Sequence, residues 1–381
     1  MSQEYWANGL RRRTEVARLL RQAFLSILLP ANTIMNSSSK RRALSDNVRA
    51  DAQEAIDNKT KPPGSLGLIE STAVQLAVVQ QTLEPTVDPA RIIVFGADHG
   101  VAESGVSAFP AEVTVQMMAN FSSGGAAVSV LGSVAGASLE VVDVGVNGDL
   151  TELENVVHAK VRPGTRNLAI EAAMTHEEVD AAMQVGREAV VRAVKQGQRC
   201  IGLGEMGIAN TTSAAILTGL LCDADAELVT GRGTGLNDTQ LPLKRQLVEK
   251  VMQRLSASKD DALECLRHAG GLEIAALVGT LLEAPAHRLP VIVDGYIVTA
   301  AALIACRLKP SVREVLFFAH QSAEPGHKLA LAQLQATPLL QLDMRLGEGS
   351  ATALALPLLR GAAAILRDMA SFADAGVSTA G

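Results

Sequence analysis

Short β-branched runs recur along this chain at wide intervals, and most of them stop at glycine, aspartate or histidine. The clearest are Ile92-Ile93-Val94-Phe95, Leu139-Glu140-Val141-Val142, Val291-Ile292-Val293 and Val315-Leu316-Phe317-Phe318, with weaker ones near Cys200-Ile201 and Leu340-Gln341-Leu342. Long Ala- and Leu-rich stretches of helical character lie between them. Apolar runs of this length without strict alternation are buried on both faces, which is the condition of a parallel strand covered by helices. The pattern predicts an α/β fold with a mainly parallel sheet. Aromatic residues are only 3 % of the chain against 48 % hydrophobic residues, which suits close-packed helices on a sheet better than an aromatic-rich sandwich. No repeat of 20–50 residues is apparent, so a solenoid is not expected.

The ends read differently. Residues 1–40 are expected to be a flexible or non-native-start extension. Their apolar run, Phe24-Leu25-Ser26-Ile27-Leu28-Leu29, is short, Glu4 and Glu15 interrupt the basic part, and no small-residue cleavage site follows, which argues against a targeting peptide. Met35 is an alternative start. From about 44 to 80 the pattern is helical (Leu44, Val48, Ala52, Ile56, then Leu68, Ala73, Leu76, Val79), broken at Lys61–Gly67 by two prolines and two glycines, which forbid a continuous helix. The four cysteines are widely spaced and read as thiols of a reducing cytoplasm. No apolar stretch of membrane-spanning length is found, and a net charge of −6 offers nucleic acid no attraction.

Ligands of open parallel sheets bind beyond the carboxyl ends of the strands, so the loops after each run are where chemistry is sought. Asp98 and His99 follow the first. They are a site or, equally, a turn cap and a satisfied polar residue. The segment from Phe109 through Gln116, Met117 and Phe121 offers aromatic, thioether and amide surface, which suits a flat apolar ligand or plain core. Gly202 to Ser213 precedes an Ala-rich helix. Its glycines allow close backbone approach, and the helix N-terminus offers N–H groups to an anion, with Thr211 and Thr212 adding hydroxyls. Gly231-Arg232-Gly233-Thr234-Gly235 is a second glycine cluster, with Lys244 beyond it as a point charge for phosphate. Asp294-Gly295 and the stretch from His320 to His327 are polar loops for a ribose phosphate or for a partner subunit. Glu348 sits between two glycines. In an apolar pocket its pKa would rise, as a general base near neutrality requires; the alternative is an acid complementing a helix N-terminus.

Taken in order, KPPGSLG (61–67), GADHGV (96–101), EVTVQMMANFSSGGAA (112–127), GEMGIANTT (204–212), GRGTGL (231–236), VDGYI (293–297), HQSAEPGH (320–327) and RLGEGS (345–350) resemble the nicotinate-nucleotide–dimethylbenzimidazole phosphoribosyltransferase family of cobalamin lower-ligand synthesis. The resemblance runs across residues 44–370. It implies a Rossmann-like sheet over 91–349, a small helical domain from 41–90 and 350–372, and a homodimer. It implies transfer of ribose 5-phosphate from nicotinate mononucleotide to a benzimidazole-type base, without a cofactor or metal. By resemblance Glu348 is the catalytic base and Glu205 the acid beside it. Gly204, Met206, Gly207, Asn210, Thr211, Thr212, Gly233, Thr234, Gly235, Lys244, Asp294, Gly295 and Ser322 would bind the mononucleotide. Phe109, Gln116, Met117 and Leu346 would wall the base. One departure stands out: Ala209 occupies a position where the family more often has glycine. A nicotinamide-dependent dehydrogenase, the rival enzyme, requires a Gly-x-Gly-x-x-Gly after the first strand, which Ala97-Asp98-His99-Gly100 does not supply. A non-catalytic nucleotide-binding module, the other rival, has no use for Glu348.

Overall fold

Among the described residues six strands form one sheet: β1 (Ala90–Ala97), β2 (Ser138–Gly145), β3 (Val156–His158), β4 (Cys200–Met206), β5 (Val291–Val293) and β6 (Leu316–Phe318). Their order is β3-β2-β1-β4-β5-β6, and every pairing is parallel. The computed structural model describes residues 47–378, which belong to one compact unit. The expected extension over 1–40, the Met35 start and Leu44 lie outside the described residues. β1 is buried on both faces along almost its whole length, as its unbroken apolar run requires. Chain direction across the sheet reverses between β1 and β4, and at such a switch point the crossovers diverge and open a crevice at the carboxyl ends.

Two strands depart from the expectation. β4 spans seven residues where only Cys200-Ile201 suggested one. Gly202, Gly204 and Glu205 disguise it, because glycine and acid are poor strand formers. The glycines serve neighbours: a Cβ on Gly202 would stand 1.8 Å from Thr352 Cγ2, and one on Gly204 would stand 2.5 Å from the Glu348 carbonyl. β3 was not foreseen; it is a three-residue edge strand behind a polar stretch. Leu340-Gln341-Leu342 forms no strand. It makes a single parallel bridge, His320 with Leu340, and Leu342 is exposed.

The break at Lys61–Gly67 separates helices Val48–Asp57 and Leu68–Gln80. Glu70 ties it: its carboxylate takes the Lys61 ammonium at 2.9 Å and the N–H groups of Gly64 at 3.1 Å and Leu66 at 2.8 Å. Both helices pack on the C-terminal helix Ser350–Asp368. That helix is long and apolar enough to cross a membrane by length and composition, and more than half of it is buried inside the fold.

Candidate active site

The carboxyl ends of β1, β4, β5 and β6 surround an open cavity of about 640 Å³, a size that suits a nucleotide-like ligand. Its floor is acidic. Gly347, Glu348 and Gly349 are three successive residues at positive φ (83°, 64° and 84°). For a glutamate this left-handed geometry is strained, and it persists because the turn is over-determined. Asp294, at the end of β5, accepts N–H bonds from Gly349 (3.0 Å), Ala351 (2.8 Å) and Thr352 (3.1 Å). It thereby caps helix Ser350–Asp368 and holds the turn that presents Glu348.

Three carboxyl groups crowd this floor, and each is pushed upward. Burial lifts Glu348 to about 7, with the Asp294 charge adding to it. Burial lifts Asp294 to about 6, opposed by its three backbone donors. Glu205, at the end of β4, is held well above the usual carboxylate range by burial, then by the charges of Asp294 and Glu273; the Asn210 amide, which donates to it, only partly offsets this. Near neutrality the geometry therefore offers a Glu348 that can take up a proton, beside a Glu205 whose proton affinity is raised.

One flank of the cavity is apolar. Val113 and Met117 project from helix Glu112–Ser122, joined by Phe109, Ile208 and Leu346. Phe109 and Leu346 are 52 % and 53 % exposed, so their apolar surface is open to a ligand in the cavity. The opposite flank suits an anion. Helix Asn210–Cys222 points its N-terminus at the cavity, with Asn210 and Thr211 on the wall beside Gly233, Thr234 and Ser322. Lys244 lies behind, 1 % exposed, and donates to Thr211 Oγ1 at 2.8 Å. Burial pushes its pKa down to about 8, with Glu324 pulling it back up.

A dry polar network supports this anion flank from below. The His99 Nε2 is 2.7 Å from Glu273 Oε1, both side chains fully buried. Ser213 Oγ lies 3.2 Å from His99 Nδ1 and donates to the Gly270 carbonyl at 3.3 Å, so it receives from Nδ1–H. Both ring nitrogens then carry protons. Burial pushes the imidazole down, but the Glu273 charge and hydrogen bond and the Asp98 charge carry it above its ordinary value. The ring lies directly under Gly207, where a Cβ would stand 3.3 Å from His99 Cδ2. Asp98 accepts from the Asn147 N–H at 2.7 Å. His99 is thus held on both ring nitrogens and Asp98 through one carboxylate oxygen, below the cavity rather than on its wall.

Of the residues singled out from sequence, Glu348, Glu205, Met206, Gly207, Asn210, Thr211, Gly233, Thr234, Gly295, Ser322, Phe109, Met117 and Leu346 meet on the cavity wall. Six do not. Gly204 is inside β4 under the Glu348 turn. Thr212 is fully buried in its helix, and Gly235 lies off the wall. Lys244 reaches the cavity only through Thr211, and the Asp294 carboxylate is consumed by backbone. Gln116 points outward, because Val113 and Met117 share the inward helical face and it stands one step, about 100°, away. His320 and Glu324, from the stretch offered for a ribose phosphate, also line the wall, as do Tyr296, Ile297, Asp343 and Arg345, to which no role was given. All lie in or beside the flagged post-strand loops, and that position was the available signal. Among the described residues no group of three or more His, Cys, Asp or Glu converges to hold a metal ion.

The chain is extensively similar to known proteins. A family profile described as phosphoribosyltransferase matches residues 42–377. A nicotinate-nucleotide–dimethylbenzimidazole phosphoribosyltransferase of Cupriavidus necator is 49 % identical over 337 residues, 88 % of this chain and 97 % of the relative. Its namesake from Pseudomonas putida is 47 % identical over 334 residues, covering 87 % and 95 % of the two chains. The crystal structure of CobT from Thermus thermophilus superposes with a TM-score of 0.85 at 45 % identity, covering 88 % of this chain and all of that one.

Proposed function

This chain belongs to the phosphoribosyltransferase family, and we propose that it transfers ribose 5-phosphate from nicotinate mononucleotide to 5,6-dimethylbenzimidazole or a related base, giving α-ribazole 5′-phosphate and nicotinate. The observation that carries the reading is the Glu348 carboxyl, lifted to about 7 between an apolar flank and an anion-binding flank. In the mononucleotide the nicotinate ring is a pyridinium, so it departs as a neutral ring nitrogen and needs little acid assistance. The base attacks ribose C1′ through its unprotonated nitrogen and must lose the proton on the other. Glu348 takes that proton, and attack opposite the departing ring inverts C1′. Glu205, whose proton affinity is raised by burial and by its acidic neighbours, stands beside Glu348 as a hydrogen-bonding group for a sugar hydroxyl. Holding ring and C1′ in line supplies much of the remaining acceleration.

The phosphate is assigned to the flank of Thr211, Gly233 and Ser322, with Lys244 behind it, and the base to Phe109, Met117 and Leu346. No pyrophosphate leaves, so the reaction itself calls for no metal. We take the working unit to be a homodimer in the cytoplasm, on the family resemblance. The test is a product assay: purified protein with nicotinate mononucleotide and dimethylbenzimidazole, without added metal, resolved against an α-ribazole phosphate standard. Nicotinate and the α-ribotide should appear in equal amounts. Folded protein that yields neither, with this base or with benzimidazole, overturns the reading.

A further inference from the structure

The two flanks of the cavity are joined by one hydroxyl. Thr234, in the second glycine loop, accepts the Ala108 N–H at 3.2 Å and lies 3.1 Å from Ser107 Oγ. Ser107 Oγ in turn accepts the Phe109 N–H at 3.3 Å. One of its two lone pairs is engaged there; either hydroxyl of the pair can donate, and an acceptor on Thr234 selects the arrangement in which Ser107 gives its proton to Thr234. Thr234 Oγ1 then accepts two bonds and keeps one proton to donate, and the residue lines the cavity on the anion side. The loop is pinned on its other sides: Gly233 N–H donates to Glu324 Oε1 at 3.0 Å, and Arg345 Nη1 donates to the Gly233 carbonyl at 3.2 Å. The free Thr234 proton is therefore offered from a held position, while the segment it grips ends in the exposed Phe109.

We propose that Thr234 couples the two substrate subsites: a sugar-phosphate oxygen that takes its proton strengthens its grip on Ser107 and Ala108, fixes Phe109, and so tightens binding of the aromatic base. An oxygen that donates a hydrogen bond becomes a better acceptor, and chains of such bonds reinforce one another. The coupling is reciprocal, so the base tightens the sugar phosphate by the same factor. The proposal rests on the assignment of the two flanks made above. It departs from the role the family resemblance implies for Thr234, that of a mononucleotide contact alone.

The experiment uses ribose 5-phosphate, which has no nicotinate to release and cannot react. Dimethylbenzimidazole is titrated calorimetrically into the full chain with and without saturating ribose 5-phosphate. Net hydrogen-bond worth sets the expected effect: ribose 5-phosphate lowers the base Kd by about three- to tenfold in the wild type. Thr234→Val removes the effect, Thr234→Ser restores it, and Ser107→Ala leaves a part because the Ala108 bond remains. Wild-type protein that binds both ligands without coupling overturns the proposal and leaves the functional reading intact. Full coupling in Thr234→Val does the same. Wild-type protein that binds neither ligand overturns the reading and the proposal together.

Discussion

The acidic floor and the anion flank of the cavity handle charge in opposite ways. On the floor, Asp294, Glu205 and Glu348 are largely buried, Asp294 held by backbone N–H groups and Glu348 by a left-handed turn; their charges are costly there, and the cost sets their proton affinity. On the anion flank the cation is hidden behind a threonine, and the ligand-facing groups are hydroxyls and exposed backbone. The difference teaches a division of labour. A group that must exchange a proton is kept where charge is unfavourable, whereas groups that only bind are kept near water, with a rigid support below. Chemistry is tuned on one side by desolvation and affinity on the other by hydrogen-bond supply.

The largest expected effect tests the floor. Glu348→Gln should lower kcat by about 100- to 10,000-fold, the usual worth of a general base, while nicotinate mononucleotide still binds. In the wild type kcat should fall as pH drops through about 7, because protonated Glu348 cannot accept; any residual activity of the variant should lack that limb. A wild-type kcat in Glu348→Gln would remove the contrast between the flanks.

The support beneath the anion flank comes next. Breaking a buried ion pair by removing one partner costs about 3–5 kcal/mol, so His99→Ala should lower the denaturant midpoint markedly. Because the folded-state pKa of His99 is raised above 6.5, its contribution is full below that value and is lost as pH rises through the raised one. Thr234→Val, at an exposed position, should leave the midpoint within about 0.5 kcal/mol of the wild type. Equal losses in the two variants would dissolve the distinction between support and ligand-facing groups.

A smaller effect is expected at the cation. Lys244→Met should raise the KM for nicotinate mononucleotide by about tenfold or more, as loss of a charged hydrogen bond does, with a lesser change in kcat. In the wild type that KM should climb as pH rises through about 8, where Lys244 loses its proton. A KM flat across that range would place the phosphate elsewhere. The smallest effect concerns Ala209, which holds a left-handed conformation (φ 77°) at the N-cap of helix Asn210–Cys222. Relief of that strain, about 1–2 kcal/mol, outweighs the unfolded-state entropy glycine adds, about 0.4–1 kcal/mol. Ala209→Gly should therefore raise stability by up to about 1 kcal/mol, read from thermal or denaturant unfolding.

The strands with unbroken apolar runs, the Lys61–Gly67 break and the loops that carry chemistry were legible in the amino-acid sequence, because burial on both faces and proline geometry leave plain marks. β4 was only half legible. Its glycines read as loop, and their reason, the close passage of Thr352 and of the Glu348 turn, lies some 150 residues away. The position of a loop at a strand end was likewise readable, but the direction of each side chain was not. Asp294 and Ser322 both follow strands, yet one spends its carboxylate on three N–H groups and the other lines the cavity. Gln116 and Met117 are adjacent, and only the helix phase decides which faces the ligand. Arg345 and Glu324 gain their place from Gly233, a contact that no local pattern announces.

The packing of helix Ser350–Asp368 on Leu68–Gln80 also has a consequence for how the molecule is made. Lys59 Nζ donates to the Met369 carbonyl at 2.6 Å, and Phe372 N–H to the Asn58 carbonyl at 3.0 Å, so helices Val48–Asp57 and Leu68–Gln80 wait for partners that are synthesised about 310 residues later. At ordinary rates of translation that wait is on the order of tens of seconds. Throughout it the apolar faces of Val48–Asp57 and Leu68–Gln80 stand without their final cover, the state in which nascent chains engage chaperones. Glu348 stands two residues before helix Ser350–Asp368, and Asp294 accepts from Gly349 between them and from the first turn of the helix. Docking of helix Ser350–Asp368 is thus also what sets the Glu348 turn in place.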